Sequence, residues 1–203
     1  MNQTIVFDEL INDLIEKDFS FTDKMFPKDL LSNLLVNLNI KLENRQMKAA
    51  GIGNKFVYQR NLEVRGDVIS WLDNNGSDVH ELEFFKIVDD FISYLNSTCY
   101  SGINDSEFHY AVYDEGSFYK KHIDQFKSDF GRKYSMVTYL NENWNILDGG
   151  ELMIYDDLNK IKIEPLFGRT VFFRSDIIEH EVLITNRQRF SIAGWLKIKK
   201  ALI

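Results

Sequence analysis

The chain has 203 residues and a formal charge of −7, from 24 Lys and Arg against 31 Asp and Glu. That length suits one domain with a sizeable core, and a 44% hydrophobic, 14% aromatic composition excludes a largely disordered chain. One cysteine, Cys99, excludes an internal disulfide framework and any cysteine-built metal site.

The acidic balance argues against a nucleic-acid partner. No basic leader opens the chain and no run of about eighteen apolar residues occurs, so the expectation is no membrane partner and a cytoplasmic location.

The first half reads as mostly helical. Ile5, Leu10, Ile11, Leu14 and Ile15 lie close to a helical stripe over 5–16. Phe19-Ser20-Phe21-Thr22 alternates like a short edge strand. Pro27 suits the first turn of a second helix, and Leu30, Leu31, Leu34, Leu35, Leu38 and Leu42 carry it to about Glu43. Leu82, Phe85, Val88, Phe91, Ile92 and Leu95 predict a third helix over 79–95. Between the last two lies a glycine-bearing stretch without clear period, Met47 to Gln59. It reads equally as a long binding loop or as an ordinary surface connection.

From about Phe108 the pattern becomes β-like. Short runs rich in β-branched and aromatic residues cover 108–113, 118–122, 134–140, 151–155, 160–163, 170–173, 180–184 and 190–197. Asp148-Gly149-Gly150, Phe167-Gly168 and Asn186-Arg187 punctuate them. Short strands at this spacing without intervening helices predict a mainly β fold, a jelly roll or related double sheet, with the N-terminal helices covering one sheet.

Two of the four histidines fall in this half in a suggestive arrangement. His122-Ile123-Asp124 ends a predicted strand, and residues at i and i+2 of a strand share a face. His180 begins a later strand and could complete a triad of two imidazoles and one carboxylate, the arrangement of non-haem Fe(II) oxygenases. On spacing alone the plainer reading is the stronger one: a strand-end hydrogen-bonded pair and a half-buried core histidine. Arg189, nine residues after His180, shifts the balance. A guanidinium pointing into a double-sheet core must find an anion, and its fork matches a carboxylate. 2-Oxoglutarate would chelate iron at one end and meet Arg189 at the other; a structural acid is the competing partner. His80 and His109, near a helix start and a strand start, read as structural or exposed.

The run Tyr113-x-x-Gly116, Tyr119-x-x-His122-x-Asp124, Tyr139-Leu140-Asn141, Gly149-Gly150-Glu151-Leu152, Pro165-x-x-Gly168, His180-Glu181-Val182, Arg189-Phe190 and Trp195 resembles the 2-oxoglutarate- and Fe(II)-dependent prolyl 4-hydroxylase superfamily. Val64-Arg65-Gly66-Asp67-Val68-Ile69-Ser70-Trp71 further resembles the segment before the core in oxygen-sensing prolyl hydroxylases and their bacterial relatives. In those enzymes a mobile loop precedes that segment.

The resemblance implies a double-stranded β-helix, cupin-like, at 108–203. A helical support region at 1–107 would carry a lid loop at 47–65, the whole forming one structural unit. It implies that His122, Asp124 and His180 bind Fe(II), that Arg189 and Tyr139 hold the distal carboxylate of 2-oxoglutarate, and that Tyr113 lies near its chelating end. Asp67 would pair with Arg132 beside Arg65 at the substrate entrance, and Trp195 would wall the pocket. Ala193 stands where animal relatives carry a hydroxyl residue. The expected reaction is hydroxylation of a prolyl residue in a flexible segment of a protein partner. Dioxygen is consumed, succinate and CO2 are released, and ascorbate serves as reductant. A small-molecule hydroxylase is the alternative, and a non-catalytic double-sheet binding module is the reading from a different class.

Overall fold

The computed structural model describes residues 3–51, 63–125, 131–156 and 159–199. Helix α1 (Gln3–Lys17) buries Val6, Phe7, Leu10, Ile11 and Leu14, the three-and-four spacing that turns one face inward. Helix α2 (Lys28–Glu43) begins just after Pro27, which stands as the N-cap at φ −58°, ψ 140° rather than inside the first turn. Helix α3 (Val79–Cys99) runs past the expected end at Leu95. It is capped by Asp78, whose carboxylate accepts the backbone N–H groups of His80 and Glu81 at 3.0 and 2.9 Å.

Each of the strands expected after residue 108 is present. They are β4 (Asp105–Tyr113), β5 (Tyr119–His122), β6 (Arg132–Tyr139), β7 (Leu152–Asp156), β8 (Asn159–Ile163), β9 (Thr170–Arg174), β10 (Glu179–Val182) and β11 (Arg189–Lys197). The early strand β1 (Phe19–Thr22) takes an edge position, pairing with β9. Two strands were not foreseen: β2 (Lys48–Ala49) and β3 (Val68–Trp71). Both are too short to show a period, and they are recruited by pairing, β2 on β3 and β3 on β4. Most of the expected lid, residues 52–62, lies outside the described residues.

The strands form two antiparallel sheets, a larger one in the order β1-β9-β6-β11-β4-β3-β2 and a smaller one in the order β5-β10-β7-β8. The result is a double-stranded β-helix with its helices on one sheet. Alternation along β4 sorts the two faces of the larger sheet. Phe108, Tyr110 and Val112 join Phe84, Phe91, Leu31 and Leu34 of the helices in the main core. Ala111 and Tyr113 turn the other way, to Val182 of the smaller sheet. A second cluster between the sheets joins Tyr139, Val171 and Phe173 to Leu152, Ile154 and Ile163. Each fully buried Phe or Leu in these layers contributes roughly 1.5–3 kcal/mol. Among the described residues no helix is long and apolar enough to cross a membrane.

Gly194 marks the tightest approach in the larger sheet: a Cβ there would meet the backbone carbonyl of Glu107 and the ring of Phe108 inside van der Waals contact. Backbone cannot swing aside as a side chain can. Gly194→Ala is therefore expected to lower stability by about 1–3 kcal/mol or more, read as a fall in the urea midpoint.

Candidate active site

Strand register brings the two sequence-predicted histidines together. His180 on β10 lies directly opposite His122 on β5, with a bulge following it, and such cross-strand partners have Cβ atoms about 4.5–5.5 Å apart. Asp124 follows just beyond the end of β5. One ligand atom from each of His122, Asp124 and His180 lies within 4.8 Å of the others. The Nε2 atoms of His122 and His180 stand 3.5 and 3.7 Å from the two oxygens of Asp124.

The other ring nitrogens are already committed. Nδ1 of His122 donates to the Lys120 carbonyl at 2.7 Å, and Nδ1 of His180 donates to the Ile178 carbonyl at 3.1 Å. A carbonyl only accepts, so each Nδ1 carries a proton, and in the neutral imidazole that leaves the Nε2 lone pair for a metal. Burial raises the Asp124 carboxyl pKa, yet the two imidazoles and the Ser135 hydroxyl outweigh it and hold the group well below the usual carboxylate range. Burial pushes His180 down to about 4 despite the pull of Asp124. Two neutral nitrogens and one ionised oxygen on one face suit a divalent iron and leave its opposite side open.

Two residues that sequence reasoning passed over brace this triad. The Ser135 hydroxyl donates to Oδ2 of Asp124 at 2.7 Å and lies 2.8 Å from the Ser175 hydroxyl. Tyr119 stacks on His122, with ring centroids 3.6 Å apart and planes 17° from parallel. A small polar residue in mid-strand was the available signal for Ser135, and the motif position of Tyr119 was the signal for its ring.

Arg189 is 1% exposed. Its Nε donates to the Gly150 carbonyl at 2.9 Å, and its guanidinium carbon lies 5.1 and 4.9 Å from the rings of Tyr113 and Tyr139. No carboxylate among the described residues lies within ion-pairing distance of it, so the competing reading of a structural acid partner fails. The Tyr139 hydroxyl is likewise buried without a hydrogen-bonding partner. A buried cation beside an unpartnered hydroxyl fits the carboxylate of 2-oxoglutarate. The Gly149-Gly150 turn makes this possible. Both residues have φ near +65°, and a Cβ on Gly150 would crowd Cδ of Arg189 at 3.1 Å. Asn141 secures the same corner, donating to the Pro165 carbonyl at 2.7 Å and accepting the Phe190 N–H at 2.6 Å.

The expected Asp67–Arg132 pair is replaced. Asp67, buried just before β3, takes both oxygens to Arg65, at 2.7 Å from Nε and 2.6 Å from Nη2. Two residues apart on an extended segment, the partners share a face, and Arg65 is the nearer cation. Burial disfavours the Arg65 charge, but the Asp67 hydrogen bonds overcome it and raise its pKa. Arg65 also covers the Tyr119 ring at 4.3 Å and donates to the Gly51 carbonyl at 3.4 Å. Arg132 reaches Glu107 at 3.3 Å and the Asp124 carbonyl at 3.4 Å, with its guanidinium 3.4 Å from the centre of the Trp195 ring.

Two outcomes follow. Ser135→Ala is expected to weaken divalent-metal binding about 10- to 100-fold, measured by calorimetry with Zn(II) or Mn(II), while Asp124→Ala abolishes it. Burial also pushes His109 down to about 4, where Asp67 and Asp124 raise its pKa and Arg65 and Arg132 lower it. For His109 and His180 the unfolded chain takes up protons first as pH falls from about 6.5. The metal-free protein therefore loses stability between about pH 6.5 and 4, and the loss from these groups levels off below that. Urea midpoints across this range check it, and His109→Phe should flatten part of the slope.

Residues 108–197 match the family model described as the 2OG-Fe(II) oxygenase superfamily. A Pseudomonas putida prolyl-4-hydroxylase is similar at 30% identity, over 96% of this chain and 100% of that one, with a TM-score of 0.86. A Trichoplax adhaerens prolyl hydroxylase, in complex with a hypoxia inducible factor oxygen degradation domain peptide fragment, is similar at 25% identity. That likeness spans 96% of this chain and 90% of that one, with a TM-score of 0.87. A prolyl 4-hydroxylase structure from Phytophthora capsici shares the fold at 21% identity, over 98% of this chain and 66% of that one, with a TM-score of 0.76. The chain belongs to the 2OG-Fe(II) oxygenase superfamily and is a prolyl 4-hydroxylase-like 2-oxoglutarate-dependent dioxygenase.

Proposed function

We propose that this dioxygenase hydroxylates a prolyl residue in a flexible segment of a protein substrate, consuming dioxygen and releasing succinate and CO2. We place it in the cytoplasm with ascorbate as reductant. The observation that carries the substrate reading is the likeness to prolyl hydroxylases along nearly the whole chain. The similar Trichoplax protein holds a peptide fragment, which favours a protein substrate here over a free amino acid.

His122, Asp124 and His180 would hold the iron, and the bound iron would supply the oxidising chemistry toward an unactivated carbon. The chain's own contribution is order. Backbone carbonyls fix both imidazole tautomers, and Ser135 fixes the carboxylate. Arg189 would pair with the distal carboxylate of 2-oxoglutarate, with Tyr139 donating to the same group and Tyr113 closing the wall beside it. Arg132 and Trp195 would border the substrate side, and the Arg65–Asp67 couple would anchor the segment leading to it.

The test of function is mass spectrometry of cellular proteins with and without the enzyme. One oxygen atom added to a specific proline is expected, whereas a change confined to free metabolites would overturn the proposal. Arg189→Leu should chiefly raise the 2-oxoglutarate concentration needed, by about tenfold or more. Tyr139→Phe should raise it about three- to tenfold. Both are read from succinate release against 2-oxoglutarate concentration.

A further inference from the structure

The interior wall of β4 and β11 carries two polar groups that the reaction as described leaves unused. His109 is 4% exposed, and its Nδ1 is buried without a hydrogen-bonding partner. The indole Nε1 of Trp195 is buried and unpartnered as well. Their rings lie 5.6 Å apart, and His109 is held edge-on against Trp71 at 5.1 Å. Its cross-strand neighbour on β11, Ala193, has no polar side-chain atom to offer.

These groups face the metal centre's side of the sheet. His109 shares its face of β4 with Ala111 and Tyr113, which turn to the smaller sheet. Trp195 lies opposite Ser135, the residue that holds Asp124, and beneath Arg132, which donates to the Asp124 carbonyl. Leaving a buried donor and a buried imidazole nitrogen unmade is costly, so a native chain that keeps both adjacent has a use for them. The low pKa of His109 leaves the imidazole neutral at physiological pH, free to accept where the indole can only donate. A secondary amide offers the complement, a carbonyl for the indole and an N–H for the imidazole.

We propose that His109 is a specificity-determining residue of this site: with the Trp195 indole N–H it forms a paired hydrogen-bonding position for a backbone amide of the substrate. This rests on the prolyl-peptide reading and sharpens it, since a free amino acid has no secondary amide to pair with both groups.

The test is NMR of 15N-labelled protein loaded with Zn(II) and 2-oxoglutarate, titrated with N-acetylproline methylamide, free L-proline and N-methylacetamide. The expected result is that the prolyl amide shifts the Trp195 indole N–H and the His109 ring nitrogens, and free proline does not. His109→Phe keeps an aromatic ring in the Trp71–Trp195 stack and removes the hydrogen bond; it should weaken the prolyl amide about three- to tenfold. If the prolyl amide shifts the signals of Tyr119 and His122 but leaves His109 and Trp195 in place, this inference falls while the prolyl reading stands. If both signals answer N-methylacetamide but not the prolyl amide, the amide position stands and the prolyl reading falls. No response of either signal to any of the three overturns the inference.

Discussion

The arrangement of the site turns on one uncompensated charge. Arg189 is the largest fully buried side chain, and the fold around it supplies one carbonyl and two tyrosine rings but no acid among the described residues. Burying a guanidinium this way is costly, and the cost is recovered when a dianion enters. Much of the local sequence serves that moment. The left-handed Gly149-Gly150 turn brings a carbonyl against Nε, and Asn141 pins the strand end from which Arg189 projects. Binding of such an anion is thus linked to folding, because it stabilises the native state and finds no such cradle in the unfolded chain.

The metal side carries the opposite charge, an ionised carboxylate beside neutral imidazole nitrogen that a divalent cation would neutralise. The carboxylate of Asp124 is held ionised by two imidazoles and a hydroxyl, and each imidazole is held by the carbonyl two residues upstream. Cross-strand pairing sets the His122–His180 separation, and the Tyr119 ring locks His122 in plane. Arg65 extends that stack and ties it to Asp67, so the segment before β3 and the metal ligands form one continuous contact.

What could be read from the residues was what lies close in sequence or is chemically conspicuous. The β strands after Phe108 announced themselves by alternation, and the His122–Asp124 spacing with a distant His180 and Arg189 pointed to iron and a dicarboxylate. Contacts set by inter-strand register were not legible. Ser135 bracing Asp124, Tyr119 flat on His122 and His109 between two tryptophans all depend on which strands become neighbours. The Asp67 partner was misjudged because resemblance supplied Arg132, whereas a two-residue step on an extended segment puts Arg65 closer. Strands β2 and β3 escaped notice because pairing, not pattern, makes them strands.

Strand β1 carries a consequence for how the molecule assembles. It comes directly after the first helix, yet its partner is β9, with Phe19 opposite Phe173 and Thr22 opposite Thr170. Toward the other edge, where β2 is outermost, β3 joins β4 across the whole of α3. Both ends of the larger sheet therefore join early chain to late or intermediate chain, a topology of high contact order that slows folding. During synthesis β1 stays an unpaired edge until the last third of the polypeptide has emerged, which makes Phe19-Ser20-Phe21-Thr22 the segment most exposed to wrong pairing in the nascent chain.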